Sequence, residues 1–251
     1  METRGAHGGE LGSLEAVIFD LDGVVTQTAH VHAEAWKQLF DEYLEERAKR
    51  PGESFEPFDL PSDYLRFVDG KPRYDGVASF LASRGVELPP GSPDDPEDRE
   101  TVCGLGNRKN RYFLRALAAR GADPYPTTLE LIATLHERGV RTAVVSSSKN
   151  CAAVLESAGL GGLFEVKVDG VDAAELGLPG KPDPALFLEA ARRLGVEPRH
   201  AAVVEDALSG VEAGRRGGFA LVVGVDRAGQ RDGLAAAGAD VVVGDLGEVT
   251  A

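Results

Sequence analysis

The stretch Ala16–Val25, AVIFDLDGVV, decides the fold of this chain. Four apolar residues, Ala16–Phe19, run without a polar break into Asp20 and Asp22, and Gly23 ends the run. A strand buried on both faces reads this way, because it has helices above and below and no wet side. Residues two apart on an extended chain point to the same side, so Asp20 and Asp22 project together. Two carboxylates at the end of a buried strand cost solvation unless a cation or a proton compensates them.

Similar runs recur at Thr142–Val145, Ala201–Val204, Ala220–Val223 and Asp240–Val243. Helical patterns lie between them. Thr127–Arg138 gathers Leu129, Ile132, Ala133 and Leu135 near one stripe. Pro184–Leu194 does the same with Leu186, Phe187, Ala190, Ala191 and Leu194, and Gly195 follows as a stop. Strand–helix alternation after residue 126 predicts a parallel α/β sheet.

Residues 30–125 read differently. His30–Arg50 is a long helix pattern with Val31, Ala35, Trp36, Leu39, Phe40, Tyr43 and Leu44 at helical spacing. Asp75–Arg84 and Arg108–Arg120 read as further helices, and no strand pattern occurs. The acidic, Pro-rich segments Pro51–Asp63 and Pro89–Glu100 read as solvated loops. The expected architecture is therefore a doubly wound parallel-sheet (Rossmann-like) α/β core, residues 14–29 and 126–251. It carries an inserted helical cap domain, 30–125, and follows a disordered leader, 1–13. Ligands should bind outside the carboxyl ends of the strands.

Composition narrows the function. The chain has 251 residues, 43% of them apolar and 27% charged, with a formal net charge of −14. Such a surface suits nucleic acid poorly, since that binding rests on neutralising phosphates. No apolar run approaches the roughly 20 residues of a membrane span. The polar start METRGAHGGELGS lacks a signal-peptide core, so a cytoplasmic protein is expected. Cys103 and Cys151 stand far apart without zinc-ligand spacing and read as reduced, apolar-behaving thiols. An anionic small molecule remains a fitting partner wherever cations cluster locally.

Three further segments supply such groups. In Thr142–Asn150, TAVVSSSKN, Ser146 directly follows a buried strand, where a hydroxyl and backbone N–H groups can hold a phosphate oxygen. In Gly180–Pro184, GKPDP, Lys181 is set between Gly180 and Pro182 just before a helix. In Ala201–Gly210, AAVVEDALSG, a strand ends in Glu205 and Asp206, two acids that invite a hard cation. Each alone has an ordinary explanation: a solvated turn, a helix cap or a surface lysine.

Together and in this order, the four segments resemble the motifs of the haloacid dehalogenase-like superfamily across the whole core. The resemblance implies that Asp20 is phosphorylated and that Asp22 is the general acid/base. It implies that Ser146 and Lys181 hold the phosphoryl group, and that Mg²⁺ sits among Asp20, the Asp22 backbone carbonyl, Glu205 and Asp206. Elementary electrostatics agrees. A carboxylate approaching a phosphate dianion to about 4 Å meets a repulsion of about 8 kcal/mol at an effective dielectric of about 20, which a divalent cation and a lysine offset. Two carboxylates in different environments can divide the nucleophile and proton-carrier roles.

The cap segments resemble the β-phosphoglucomutase subgroup of that superfamily. Asp22–Ala29 leads into His32 and Trp36 at the subgroup's spacings. Val68–Asp75, VDGKPRYD, matches its substrate loop. The resemblance makes Thr28, His32, Trp36, Gly70, Arg73, Lys109, Asn110, Ser147, Ser148, Lys149 and Asn150 the expected substrate-binding residues. His32 would help hold the general acid, Arg73 would bind the phosphate not being transferred, and Lys109 and Asn110 would face the sugar phosphate. The sequence departs from the subgroup at Gln27, Lys71–Pro72, Ala207 and the long insert near 45–70. The implied partner is a small phosphorylated sugar and the implied cofactor Mg²⁺. A mutase, a phosphatase with the same core and, more remotely, a non-catalytic binding domain stay open at this point.

Overall fold

A computed structural model describes residues 11–52 and 54–250. The chain divides into two compact units. One takes the described residues up to Gln27 and those from Asp123 onward; the other is Thr28–Ala122.

The first unit is built on six parallel strands: β1 (Ala16–Asp20), β2 (Arg141–Val145), β3 (Val166–Val168), β4 (Ala201–Glu205), β5 (Leu221–Val225) and β6 (Val241–Val243), in the order β3-β2-β1-β4-β5-β6. All five residues of β1 are buried, as an unbroken apolar run requires. β1 pairs with both β2 and β4; Asp20 lies opposite Val145, and Phe19 opposite Val204. The carboxyl ends of β2, β1 and β4 are thus level, at the point where the strand order reverses and a crevice opens.

Helix Ala185–Leu194 buries Leu186, Phe187, Ala190, Ala191 and Leu194 against a core that includes Ile18, Val145 and Val203. Each fully buried side chain of this size is worth about 1.5–3 kcal/mol. The helix ends at Gly195, whose φ of 70° is the left-handed conformation of a helix stop. β3, too short to show a pattern, was not predicted. The leader expected over 1–13 is corrected at its end: Leu11–Ser13 forms a 3₁₀ turn, Leu11 is buried, and its N–H donates to the Thr250 carbonyl at 3.1 Å. The rest of that leader lies outside the described residues.

The second unit is helical, with α1 (Ala29–Arg47), α2 (Arg73–Ser83), α3 (Val102–Arg120) and a π-helical turn over Tyr64–Val68. No strand occurs in it among the described residues. The acidic loops are more than solvated surface. Phe58 is buried within 5.2 Å of Phe40 and 4.9 Å of Phe80, ring centre to ring centre, and anchors the first loop. In the second, the buried Asp95 carboxylate accepts from the Thr101 hydroxyl at 2.7 Å and the Ser92 N–H at 3.1 Å. No helix among the described residues is long and apolar enough to cross a membrane.

Candidate active site

The strand ends of the first unit bring the four core segments together. Asp20, at the end of β1, is 6% exposed. The Lys181 ammonium donates to Asp20 Oδ1 and to Glu205 Oε1, and lies 5.0 Å from the centre of the Phe187 ring. Glu205 Oε2 accepts from the Ala207 N–H at 2.7 Å. Ser146 Oγ donates to Asp22 Oδ2 at 3.3 Å and accepts from the Ser148 N–H at 3.1 Å. Asp22 is therefore tied to the loop after β2, while Asp20 is tied to Lys181.

Burial pushes the Asp20 carboxyl well above the usual carboxylate range; Lys181 pulls it back, and Glu205 and Asp22 add to the push. Burial opposes the charge on Lys181, but Asp20 and Glu205 outweigh it and hold the ammonium above the usual lysine range. The lysine is thus charged, and a single ammonium does not balance the carboxylates around it. That excess negative charge is the chemistry a divalent cation answers.

The donor set fits such a cation in a particular way. Glu205, expected among its ligands, has both oxygens engaged by Lys181 and the Ala207 N–H and acts as the brace of the lysine. No three His, Cys, Asp or Glu side chains among the described residues form a ligand group. Two carboxylates, Asp20 and Asp206, and the Asp22 carbonyl remain, with water to complete the shell, a set that Mg²⁺ accepts. Asp206 lies against the backbone that follows Asp22: a Cβ on Gly23 would come 1.9 Å from Asp206 Oδ2. Gly23 also has φ +92°, so glycine is required there twice over.

Of the remaining expected residues in this unit, Ser147, Ser148 and Asn150 are half-buried and Lys149 is exposed. They form a turn on which Gly170 packs, its N–H donating to the Ser148 carbonyl at 3.1 Å.

In the second unit, Lys109 is 4% exposed and its Nζ lies 2.6 Å from His32 Nδ1. The same ammonium stands 4.9 Å from the Trp36 ring centre and 5.1 Å from that of Phe113, and Phe113 stacks on His32 at 4.0 Å. Trp36 is buried, stacked on Phe40 at 5.2 Å with Gly76 beneath it. Trp36 and Lys109, expected among the substrate-binding residues, are thus buried beside Phe40, Phe113 and His32. Thr28 is buried at the start of α1, its carbonyl accepting from the His32 N–H at 3.0 Å. Gly70 takes φ +68° in the turn before α2, and Asn110 is half-buried on α3. Arg73, the first residue of α2, has its guanidinium carbon 5.2 Å from the Tyr74 ring centre. Burial lowers its pKa, and Tyr74 and Cys103 are the groups that counter this.

Sequence reading missed the groups that pin the loop after β1. The Thr128 hydroxyl donates to the Val24 carbonyl at 2.8 Å, the Tyr125 N–H to the Val25 carbonyl at 3.0 Å, and Arg227 Nε to the Gly23 carbonyl at 3.0 Å. Nothing in a single sequence marks such long-range partners.

A parallel sheet with acids and a hydroxyl at its strand ends, and a braced lysine that reaches them from the loop before the helix Ala185–Leu194, defines an enzyme of phosphoryl transfer. The chain belongs to the haloacid dehalogenase-like hydrolase family, which matches residues 14–218. It is 52% identical over 239 residues to a β-phosphoglucomutase of Mycobacterium bovis, covering 94% of this chain and 91% of that one. It is 41% identical over 130 residues to a trehalose-phosphate phosphatase of Mycobacterium leprae, covering 50% of this chain and 28% of that one. The fold matches the crystal structure of β-phosphoglucomutase from Clostridium difficile with a TM-score of 0.72 at 23% identity, covering 94% and 92% of the two chains.

Proposed function

We propose that this enzyme interconverts β-glucose 1-phosphate and glucose 6-phosphate through glucose 1,6-bisphosphate, with Asp20 carrying the phosphoryl group. The observation that carries this reading beyond family membership is Arg73. Its guanidinium is withdrawn from solvent, and no carboxylate among the described residues lies within ion-pair distance of it. In a chain of net charge −14 such a cation is kept for an anion, and its planar fork suits a phosphate. A bisphosphate needs this second anion site in addition to the one at Asp20.

In the first half-reaction an Asp20 oxygen attacks phosphorus, the bond from phosphorus to the sugar oxygen breaks, and Asp22 delivers a proton to that oxygen. In the second, a sugar hydroxyl attacks the aspartyl phosphate while Asp22 takes its proton. Lys181 and the Ser146 hydroxyl hold phosphoryl oxygens throughout. Mg²⁺, held by Asp20, Asp206 and the Asp22 carbonyl, would supply charge neutralisation. Arg73 holds the phosphate that is not moving.

The test supplies β-glucose 1-phosphate, Mg²⁺ and a trace of glucose 1,6-bisphosphate, and follows glucose 6-phosphate and free phosphate together. Glucose 6-phosphate with little free phosphate supports the mutase. Free phosphate alone makes the enzyme a phosphatase, with Asp20 and Asp22 unchanged in role.

A further inference from the structure

We propose that Arg227 is a positioning residue for the Asp22 loop, acting through the Gly23 carbonyl. This deepens the functional reading above and rests on it.

Arg227 stands two residues beyond β5, and its side chain is 19% exposed. Its Nε donates to the Gly23 carbonyl at 3.0 Å. Nη1 donates to the Gly244 carbonyl at 3.1 Å and reaches Asp245 Oδ2 at 3.3 Å. The guanidinium carbon lies 3.8 Å from the centre of the Tyr125 ring, close stacking for a cation on an aromatic face. Nη2 is buried with no hydrogen-bond partner among the described residues. A guanidinium that forgoes one hydrogen bond in order to stay in place is held there by its other contacts.

One of those contacts reaches Gly23. Its N–H donates to the Thr26 carbonyl at 2.7 Å, and its carbonyl accepts from Arg227. Both polar groups of the residue are thus fixed, one within the loop and one from the segment after β5. Gly23 needs an outside constraint more than other residues do, because a glycine at φ +92° has little steric preference of its own. The neighbouring peptide carries the Asp22 carbonyl, and the preceding side chain is the Asp22 carboxylate. Rotation at Gly23 turns both. Thr128 and Tyr125 fix the next two carbonyls, and Arg227 fixes the one beside Asp22. Two flat hydrogen-bonding edges at a set angle explain why arginine serves here: lysine can reach one carbonyl as a point donor but cannot span Gly23 and Gly244 with a rigid fork.

The experiment compares wild-type enzyme with Arg227→Met and Arg227→Lys. In Arg227→Met, amide exchange at Gly23, Val25 and Thr26 should speed up by about tenfold while β1 and β4 amides keep their protection. The kcat for the sugar phosphate should fall by about tenfold or more with KM changed less than about threefold, since a displaced catalytic group costs turnover rather than binding. Arg227→Lys should recover part of kcat, because it restores a donor to Gly23. Unchanged exchange in the loop overturns the proposal. So does faster exchange with unchanged kcat, and so does a loss of kcat matched by a loss of folded protein on thermal melting, which is a merely structural role. If the wild-type protein turns over no phosphate ester at all, the functional reading fails, and the exchange measurement still decides whether Arg227 pins Gly23.

Discussion

Lys109 Nζ and His32 Nδ1 lie 2.6 Å apart in the second unit. An ammonium has three donors and no acceptor, so the imidazole nitrogen must accept. His32 is then neutral, with its proton on Nε2. Nitrogen-detected NMR of the histidine ring at neutral pH should show the Nε2–H form alone in wild-type protein and a mixture of tautomers in Lys109→Met. A dominant Nδ1–H signal in the wild type would falsify this assignment.

Removing the braced lysine should be costly in two ways. Lys181 is 4% exposed and is the cation paired with both Asp20 and Glu205, themselves buried. Lys181→Met leaves two buried carboxylates without a counter-charge, a loss of about 3–5 kcal/mol of stability. Urea unfolding measures it, and phosphoryl transfer should be lost alongside. A variant as stable as wild type would mean that the pair is not buried in solution.

Gly210 offers a case where a general rule reverses sign. Glycine to alanine inside a helix ordinarily gains about 1 kcal/mol. Gly210 lies in the helix Leu208–Arg216, but a Cβ there would come 1.8 Å from Glu205 Oε1. Displacing Glu205 disturbs Lys181, so Gly210→Ala should lose about 2 kcal/mol and most of kcat. Melting temperature and turnover report the two effects separately, and a stabilised, fully active variant contradicts the packing.

Arg73 should show itself in substrate binding. Losing a charge-assisted contact to phosphate costs about 1.5–3 kcal/mol. Arg73→Ala should therefore lower kcat/KM for a bisphosphate about tenfold to a hundredfold while sparing hydrolysis of a small monophosphate such as p-nitrophenyl phosphate. Equal losses on both substrates count against a second phosphate site.

Both thiols should be silent in the native protein. Cys103 is 7% exposed and Cys151 fully buried. Burial, reinforced by Asp169, pushes the Cys151 thiol far above the usual range, which disfavours the reactive thiolate. A disulfide reagent at mildly alkaline pH should titrate neither until urea is added, and both afterwards. Prompt native labelling of Cys151 is the contrary result.

The sheet was legible wherever strands were long and buried on both faces. AVIFD marked β1, and the acids that close β1 and β4 marked the end of the sheet at which the candidate site lies. The failures have physical causes. Val166–Val168 is three residues long at the sheet edge, too brief for a pattern. α3 begins at Val102 rather than Arg108 because Gly104 and Gly106 weaken the helical signal. Those glycines are demanded by tertiary contacts, since a Cβ would come 2.3 Å from the Arg99 carbonyl at Gly104 and 2.6 Å from the Tyr74 ring at Gly106. The burial of Trp36 and Lys109 against Phe40, Phe113 and His32 was not legible, because residue type and spacing say nothing of which way a helix face turns. Arg227 was invisible because its partner Gly23 is 204 residues away.

The position of β1 between β2 and β4 has a consequence for how the enzyme is made. Asp20 emerges from the ribosome early, but the lysine that neutralises it lies 161 residues further along the chain, and that lysine's brace comes later still. Contacts of such sequence separation close late in folding. Until β4 has docked, Lys181 lacks its brace Glu205 and β1 is paired on one side only. A chain cut short before β4 therefore lacks the brace of Lys181 and one of the two strands that flank β1.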